Sequence, residues 1–265
     1  MPIPWDNAEA IEQDPNIETI LGESGIVFAV LNKDEGVMAD LAMRQAVVAA
    51  MEPESSLLSA YGDEEFFTVN SGLMPEDSPW YAATDPEFDE LYENADPVEA
   101  EALMEEAGYD GEEIRILTTG DYEDHYDNAL VLQQQLEEAG MTTDLTVVDW
   151  PTHTEMREDP SAFDIATTDI SNWPSVPATW HFFTEGWWGT GEDEATQEAA
   201  QAVTSAQDEE TAYAAMADLQ EAYYEYIPVV KFGDRMTPSG LRTDFEGYEY
   251  VTGVGEIFHH IRPSE

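Results

Sequence analysis

Residues 96–150 read DPVEAEALMEEAGYDGEEIRILTTGDYEDHYDNALVLQQQLEEAGMTTDLTVVDW, and they spell helix, strand, helix, strand. Asp96 is an N-cap, Pro97 suits the first helical position, and Glu99 stands where a capping-box acid belongs. Ala100, Leu103, Met104 and Ala107 then recur at i, i+3, i+4 and i+7 as one apolar stripe, which Gly108 ends. Residues 114–119 are a short β-prone run. The next helix buries Ala129, Leu132, Leu136 and Ala139 and stops at Gly140; Leu145, Val147 and Val148 supply the following strand. Two short strands joined by a helix predict a parallel, right-handed βαβ unit in an α/β fold. Such a unit is scaffold and by itself names no function.

Working outward, residues 25–32 (GIVFAVLN) form an apolar strand bounded by turn residues. Asp40 caps a helix whose stripe is Met43, Ala46, Val47 and Ala50, and Pro53 limits it. Residues 55–62 suit a short helix. Residues 71–92 are turn-rich, with Trp80 and Tyr81 as packing anchors between prolines. Past Trp150 come a short helix at 151–159 and a strand over 162–169, with Phe163, Ile165 and Ala166 as core residues. Residues 170–191 (ISNWPSVPATWHFFTEGWWGTG) combine aromatics with chain breakers and read as a loop. A helix over 211–226 buries Ala212, Ala215, Met216, Leu219, Ala222, Tyr223 and Tyr226, and Pro228 separates it from a strand at 229–232. The tail from 242 holds short strands and turns.

The chain carries 59 acidic residues against 8 basic ones, a formal charge of −51, and the acids are spread along it. At 42% apolar residues with seven Trp it is no disordered acidic tail. A fold with this self-repulsion needs screening, and molar salt shortens the Debye length to about 3 Å. The expectation is a halophilic protein with a hydrated carboxylate surface. Without a basic patch, nucleic acid and anionic lipid are excluded as partners. No run of apolar residues is long enough to span a membrane. The opening MPIPWDNAEA has no basic n-region and no apolar core. Cysteine is absent, so there is neither a disulfide framework nor a thiolate metal site. No nucleotide, zinc-protease or serine-hydrolase signature occurs, and no cofactor is expected. His125 lies among acids without EF-hand spacing, and His259 and His260, as strand neighbours, would face opposite sides, so no metal site is expected either.

Several patches resemble the family 5 solute-binding proteins, the extracytoplasmic receptors of peptide and nickel ABC transporters. In 96–140 the resemblance rests on Asp96, Pro97, Ala100, Leu103, Glu106, Ala107, Gly108, Tyr109, Gln133, Leu136 and Gly140. Arg44, Gln45 and Ala46 resemble the family's Arg-Gln-Ala helix, and YAAMADLQEAYYEYIPVV at 213–230 its last large helix and strand. The resemblance implies a lobe of the periplasmic-binding-protein class II kind, with short segments of the other lobe. Residues 1–32 would be a remnant of the first lobe and a hinge strand, 33–230 the ligand-binding lobe, and 231–265 the return hinge and tail. The family's receptors are much longer and begin with a signal or lipoprotein sequence. The chain is therefore expected to be a C-terminal half, from a fragment, a miscalled start or a split gene, with 1–38 and 231–265 more exposed than 96–226.

The resemblance also implies a function. A solute-binding component of an ABC importer, outside the membrane, would take oligopeptides or another polar organic solute, dock on permease subunits and catalyse nothing. The family's amine-binding Asp falls by position on Trp173, so that role is not carried over. Asp169, Asn172 and Trp173, following the Phe163–Thr168 run of that strand, and Trp150 after the Leu145–Asp149 strand, lie at the carboxyl ends of parallel strands, where α/β folds bind ligands. Trp187 in GWWG is either an aromatic wall of the cleft or a packed loop. The competing readings are a secreted carboxylate-dependent hydrolase and an acidic structural surface protein.

Overall fold

The computed structural model describes residues 3–76, 78, 80–171, 187–189, 191, 193–251 and 255–264. Its centre is a six-stranded mixed sheet. In chain order the strands are β1 (Ile17–Leu31), β2 (Phe67–Thr68), β3 (Glu113–Thr119), β4 (Thr142–Val148), β5 (Ile165–Ser171) and β6 (Val229–Arg242), arranged β2-β6-β1-β5-β3-β4. β3 runs parallel to β4 and β5, whereas β1 is antiparallel to both β5 and β6. The helices are α1 (Ala8–Glu12), α2 (Leu41–Ala50), α3 (Pro53–Tyr61), α4 (Pro86–Glu93), α5 (Pro97–Ala107), α6 (Glu123–Glu138), α7 (Trp150–Met156), α8 (Glu194–Ser205) and α9 (Glu209–Tyr226). The α/β class and the parallel β3–α6–β4 unit stand as the sequence indicates.

Period-two alternation divides the core. Val27, Ala29 and Leu31 of β1 face α2, α3, α5 and α6, joining Met43, Val47, Leu57, Ala100, Leu132 and Leu136. Ile26, Phe28 and Val30 point the other way, toward Val203 of α8 and Ala215, Met216, Leu219 and Tyr223 of α9. Local signals fix the helix ends. The Asp96 carboxylate accepts from the N–H groups of Val98 and Glu99 at 3.0 and 3.1 Å, and Gly108 takes the left-handed conformation (φ 73°) that closes α5.

Four expectations change. The strand expected at 25–32 begins at Ile17, and the one expected at 229–232 extends to Arg242, because the two pair with each other far beyond their apolar cores. The run 25–31, expected within the more exposed 1–38, lies between β5 and β6 with Ile26 to Leu31 all but excluded from solvent. Pro86 starts a helix inside the turn-rich 71–92 segment, capped by Asp85. His259 and His260 sit in a turn with ring centroids 3.9 Å apart, so they do not alternate across a strand. Trp80 does pack as an anchor, edge-on to Tyr213 at 5.3 Å. Val147 of β4 is exposed because β4 is the edge strand.

The β1–β6 pair has two parts. Residues 25–31 of β1 are flanked on both sides; at 17–23, among the described residues, β1 pairs with β6 alone. The register slips between Glu23 and Gly25, a bulge at Ser24 where the sheet narrows to a two-stranded ribbon. Near the other end of β6 two cations are buried. Lys33 donates to the carbonyls of Leu31 and Pro228, and Arg44 donates to those of Tyr226, Met38 and Ala39 at 2.8–3.0 Å. Arg44 also lies 5.0 Å from the Tyr226 ring centre. Of these carbonyls, that of Tyr226 ends α9 and that of Pro228 lies just beyond it, where the helix dipole favours positive charge. Burial, and then the charge of Arg44, hold the Lys33 ammonium well below the usual lysine range.

Candidate functional site

The carboxyl ends of β3, β4 and β5 lie along one edge, and the first turn of α6 and all of α7 follow two of them. Asp169 projects from β5, Trp150 opens α7 directly after β4, and Asp124 and His125 open α6 after β3. Thr118 and Thr167, fully buried on β3 and β5, are joined at 2.7 Å, and Thr118 donates to the His125 carbonyl at 3.1 Å. This polar seam fixes α6 on the strand ends.

A charged cluster sits on that seam. Arg235 of β6 places Nη2 2.5 Å from Oδ2 of Asp169 and Nη1 3.4 Å from Oδ2 of Asp124. His125 Nε2 lies 3.2 Å from Oδ1 of Asp169, and Tyr61 donates to Asp124 at 3.3 Å. A carboxylate only accepts, so His125 carries a hydrogen on Nε2. Its Nδ1 is buried without a partner. Burial alone would raise the Asp169 carboxyl, but the His125 hydrogen bond and the Arg235 charge outweigh it and hold it at about 2. Asp169 retains 26% of its side-chain exposure, against 15% for Arg235 and 2% for His125. The acid is the member of the cluster that solvent reaches most.

Aromatic groups continue the edge. Trp150 stacks on His153 at 5.1 Å, meets Tyr122 edge-on at 5.1 Å and lies 5.8 Å from His125. Arg157 sits between Trp150 and Trp188, 5.7 and 4.8 Å from their ring centres, and Trp187 packs on Trp188 at 4.4 Å. His153 is fully buried with no hydrogen-bond partner of ordinary geometry on either ring nitrogen. Burial, then the charges of Arg157 and His125, push it down to about 4, against a weak pull from the Thr167 backbone. At neutral pH it is an uncharged plate beneath Trp150.

Of the residues singled out by sequence, Asp169 and Trp150 meet through His125. Trp187 belongs to the same aromatic row, on a partly exposed stretch whose neighbour Trp188 is packed into the core against Phe163. Asn172 and Trp173 lie outside the described residues. Sequence reasoning missed Arg235, Asp124, Tyr61, His153 and Arg157. The available signal was rarity: with eight basic residues in the chain, each buried cation has a job. Among the described residues no three metal-binding side chains converge, and no helix is long and apolar enough to cross a membrane. A separate concavity of about 540 Å³, lined by Gln45, Asp85, Phe88, Gln220 and Tyr224 among others, shares no residue with this cluster.

Comparison with known proteins gives the geometry its context. Residues 1–193 match the model of the bacterial extracellular solute-binding proteins, family 5 Middle. A probable peptide ABC transporter periplasmic-binding protein of Sinorhizobium fredii is 26% identical over 264 residues, covering 92% of this chain and 48% of that protein. Among solved structures, the oligopeptide-binding protein AppA from Bacillus subtilis, in complex with a nonapeptide, superposes with a TM-score of 0.79 at 17% identity, over 100% of this chain and 56% of its own. NikZ from Campylobacter jejuni, in complex with Ni(L-His), gives 0.78 at 17% identity over 93% and 52%. A putative peptide binding protein AppA from Clostridium difficile gives 0.84 at 15% identity over 100% and 56%. The chain spans about half the length of these relatives.

Proposed function

Since the chain belongs to the bacterial extracellular solute-binding proteins of family 5, we propose that it contributes the solute-binding surface of an ABC importer and acts outside the membrane. Peptides or another polar organic solute are its cargo and the transporter's permease subunits its docking partners. Proteins of this family are non-catalytic components of transport, and this chain catalyses nothing. The observation that carries the reading is the joining of Asp169 and Trp150 by His125 at the carboxyl edge of the parallel strands. Such an edge offers a stacking face and a charged anchor to one solute. Asn172, Trp173 and Trp187 extend the proposed surface. Trp173, standing where the family's amine-binding Asp falls, carries no amine-binding role here. The hydrolase reading fares poorly, because both oxygens of Asp169 are already engaged and Asp124 shares the same guanidinium. Within this proposal, residues 33–230 form the solute-binding lobe, and 1–32 with 231–265 supply the crossing strands and a first-lobe remnant.

The test is titration with oligopeptides of increasing length while following Trp fluorescence. Saturable binding that Trp150→Ala weakens without lowering thermal stability supports the reading. Loss of stability with affinity unchanged makes Trp150 a core residue and moves the site elsewhere. The same proposal includes a halophilic setting, supported by the dispersed acids. Circular dichroism should show loss of structure as salt falls from molar to about 0.1 M; an unaltered spectrum and melting temperature exclude it.

A further inference from the structure

The Arg235 side chain reaches from β6 across β1 to Asp169 on β5. It crosses at Gly25, the residue next to the bulge, and Gly25 makes the crossing possible. A Cβ there would stand 2.5 Å from the Ile170 carbonyl oxygen and 3.3 Å from both Nε and Nη2 of Arg235. A side chain there would collide with the Ile170 backbone of β5 and crowd the guanidinium. The same guanidinium also faces Asp124 on α6. The ion pairs therefore tie β5 and α6 to the point on β6 where the β1–β6 ribbon leaves the sheet. Ser24 adds a local tie, with its hydroxyl 3.3 Å from the Arg235 carbonyl and 2.7 Å from the Thr237 hydroxyl.

We propose that the Arg235–Asp169 ion pair is a latch that sets the angle of the β1–β6 ribbon against the sheet, and that solute entering beside Asp169 releases it by taking over the carboxylate. The second half rests on the solute-binding reading above; the first does not. Three features support a latch over a plain structural pair. It spans a register slip, where paired strands bend most readily. Its carboxylate is the more exposed partner, 26% against 15%, and so the one more open to an incoming group. Asp124, at 3.4 Å, is a second and looser acceptor to which the freed guanidinium can turn. Arg235 is thus a positioning residue that acts through Asp169.

The chain has no cysteine, so paired labels can be introduced cleanly. Spin labels at Glu18→Cys on the ribbon and Glu101→Cys on α5, both exposed, report the angle as a distance. Without solute, Asp169→Asn and Arg235→Lys should each shift or broaden that distance by more than about 2 Å. Asp164→Asn breaks the bidentate pair with Arg115, which ties β3 to the residue just before β5, away from the ribbon. It should lower the melting temperature and leave the label distance alone. Unchanged distances in the first two variants, or an equal shift in the third, overturn the latch. If Asp169→Asn does not fold, Arg235→Lys, which keeps the charge and loses the fork, decides alone. Trialanine at saturation should then shift the wild-type distance and leave Asp169→Asn where it already is. A variant shift with no response to peptide leaves the latch standing and counts against the solute reading alone.

Discussion

At the end of α9, Lys33 and Arg44 are buried among backbone carbonyls; where the ribbon leaves the sheet, Arg235 lies partly buried between two carboxylates. The first site has two cations and, among the described residues, no acid within ion-pair distance. The second has one cation for two acids. Carbonyls are dipoles fixed by the fold, so the first arrangement cannot change partner without unwinding a helix end. Carboxylates are side chains, and an arriving charge can compete for them. In a chain of net charge −51, a cation spent inside is unavailable to the surface. Only Arg242 and Arg262 keep more than half of their side chain in solvent, at 70% and 66%. The comparison teaches where to look for function in such a chain: at the partly buried cation whose partners can be exchanged.

Arg235→Met tests the exchangeable site most directly. It leaves Asp169 and Asp124 partly buried without a counter-charge, and unfolding free energy should fall by about 4 kcal/mol. Adding Asp169→Asn and Asp124→Asn should recover most of that loss. A triple variant as weak as the single one means the cluster is held by packing and not by charge.

Acid should act on the exchangeable site and spare the carbonyl one. His153, beside the cluster, titrates at 6.5 when unfolded and about 4 when folded. The unfolded chain binds more protons between those values, so stability from this group is complete above pH 6.5 and lost as pH falls toward 4. The loss is about 3 kcal/mol by linkage. Asp169, held at about 2, adds a further loss below pH 3.8. Denaturant melts at pH 7 and 4.5 check the first window, and His153→Phe should flatten it.

Arg44→Lys sharpens the carbonyl side. The charge stays but the fork is lost, and buried carbonyls of Tyr226, Met38 and Ala39 cannot all be reached. A loss of about 2 kcal/mol is expected in calorimetry. A neutral outcome would make charge alone sufficient there. The smallest effect belongs to neither site: Asp96→Ala removes the α5 cap and should cost about 1 kcal/mol in the same assay.

These contrasts also explain what the sequence disclosed. Residues 96–140 were legible because cap, stripe and stop agree at every level, from Asp96 through Met104 to Gly108. The outer parts of β1 and β6 were hidden because Gly22, Gly25, Gly233, Pro238 and Gly240 read as turns, whereas the mutual pairing of two distant strands keeps them extended. The Asp85-Pro86 start of α4 is the same cap-and-proline signal as Asp96-Pro97, masked by the prolines around it. At the candidate site, topology brought Asp169 and Trp150 together, since strand ends of a parallel unit share an edge. Arg235 could not be found that way, because it arrives from β6 and no local pattern links it to residue 169.

The pairing of β1 with β6 has a consequence for the chain as it is made. β1 is complete at Leu31 and its partner begins at Val229, so the central strands are roughly 200 residues apart. At ribosomal speeds of about 5–20 residues per second, β1 waits on the order of 10–40 s before the sheet can close. Contacts of such separation are slow to form, and an unpaired apolar strand is meanwhile an invitation to aggregate. The acids strewn through every later segment give neighbouring nascent chains a reason to stay apart during that delay.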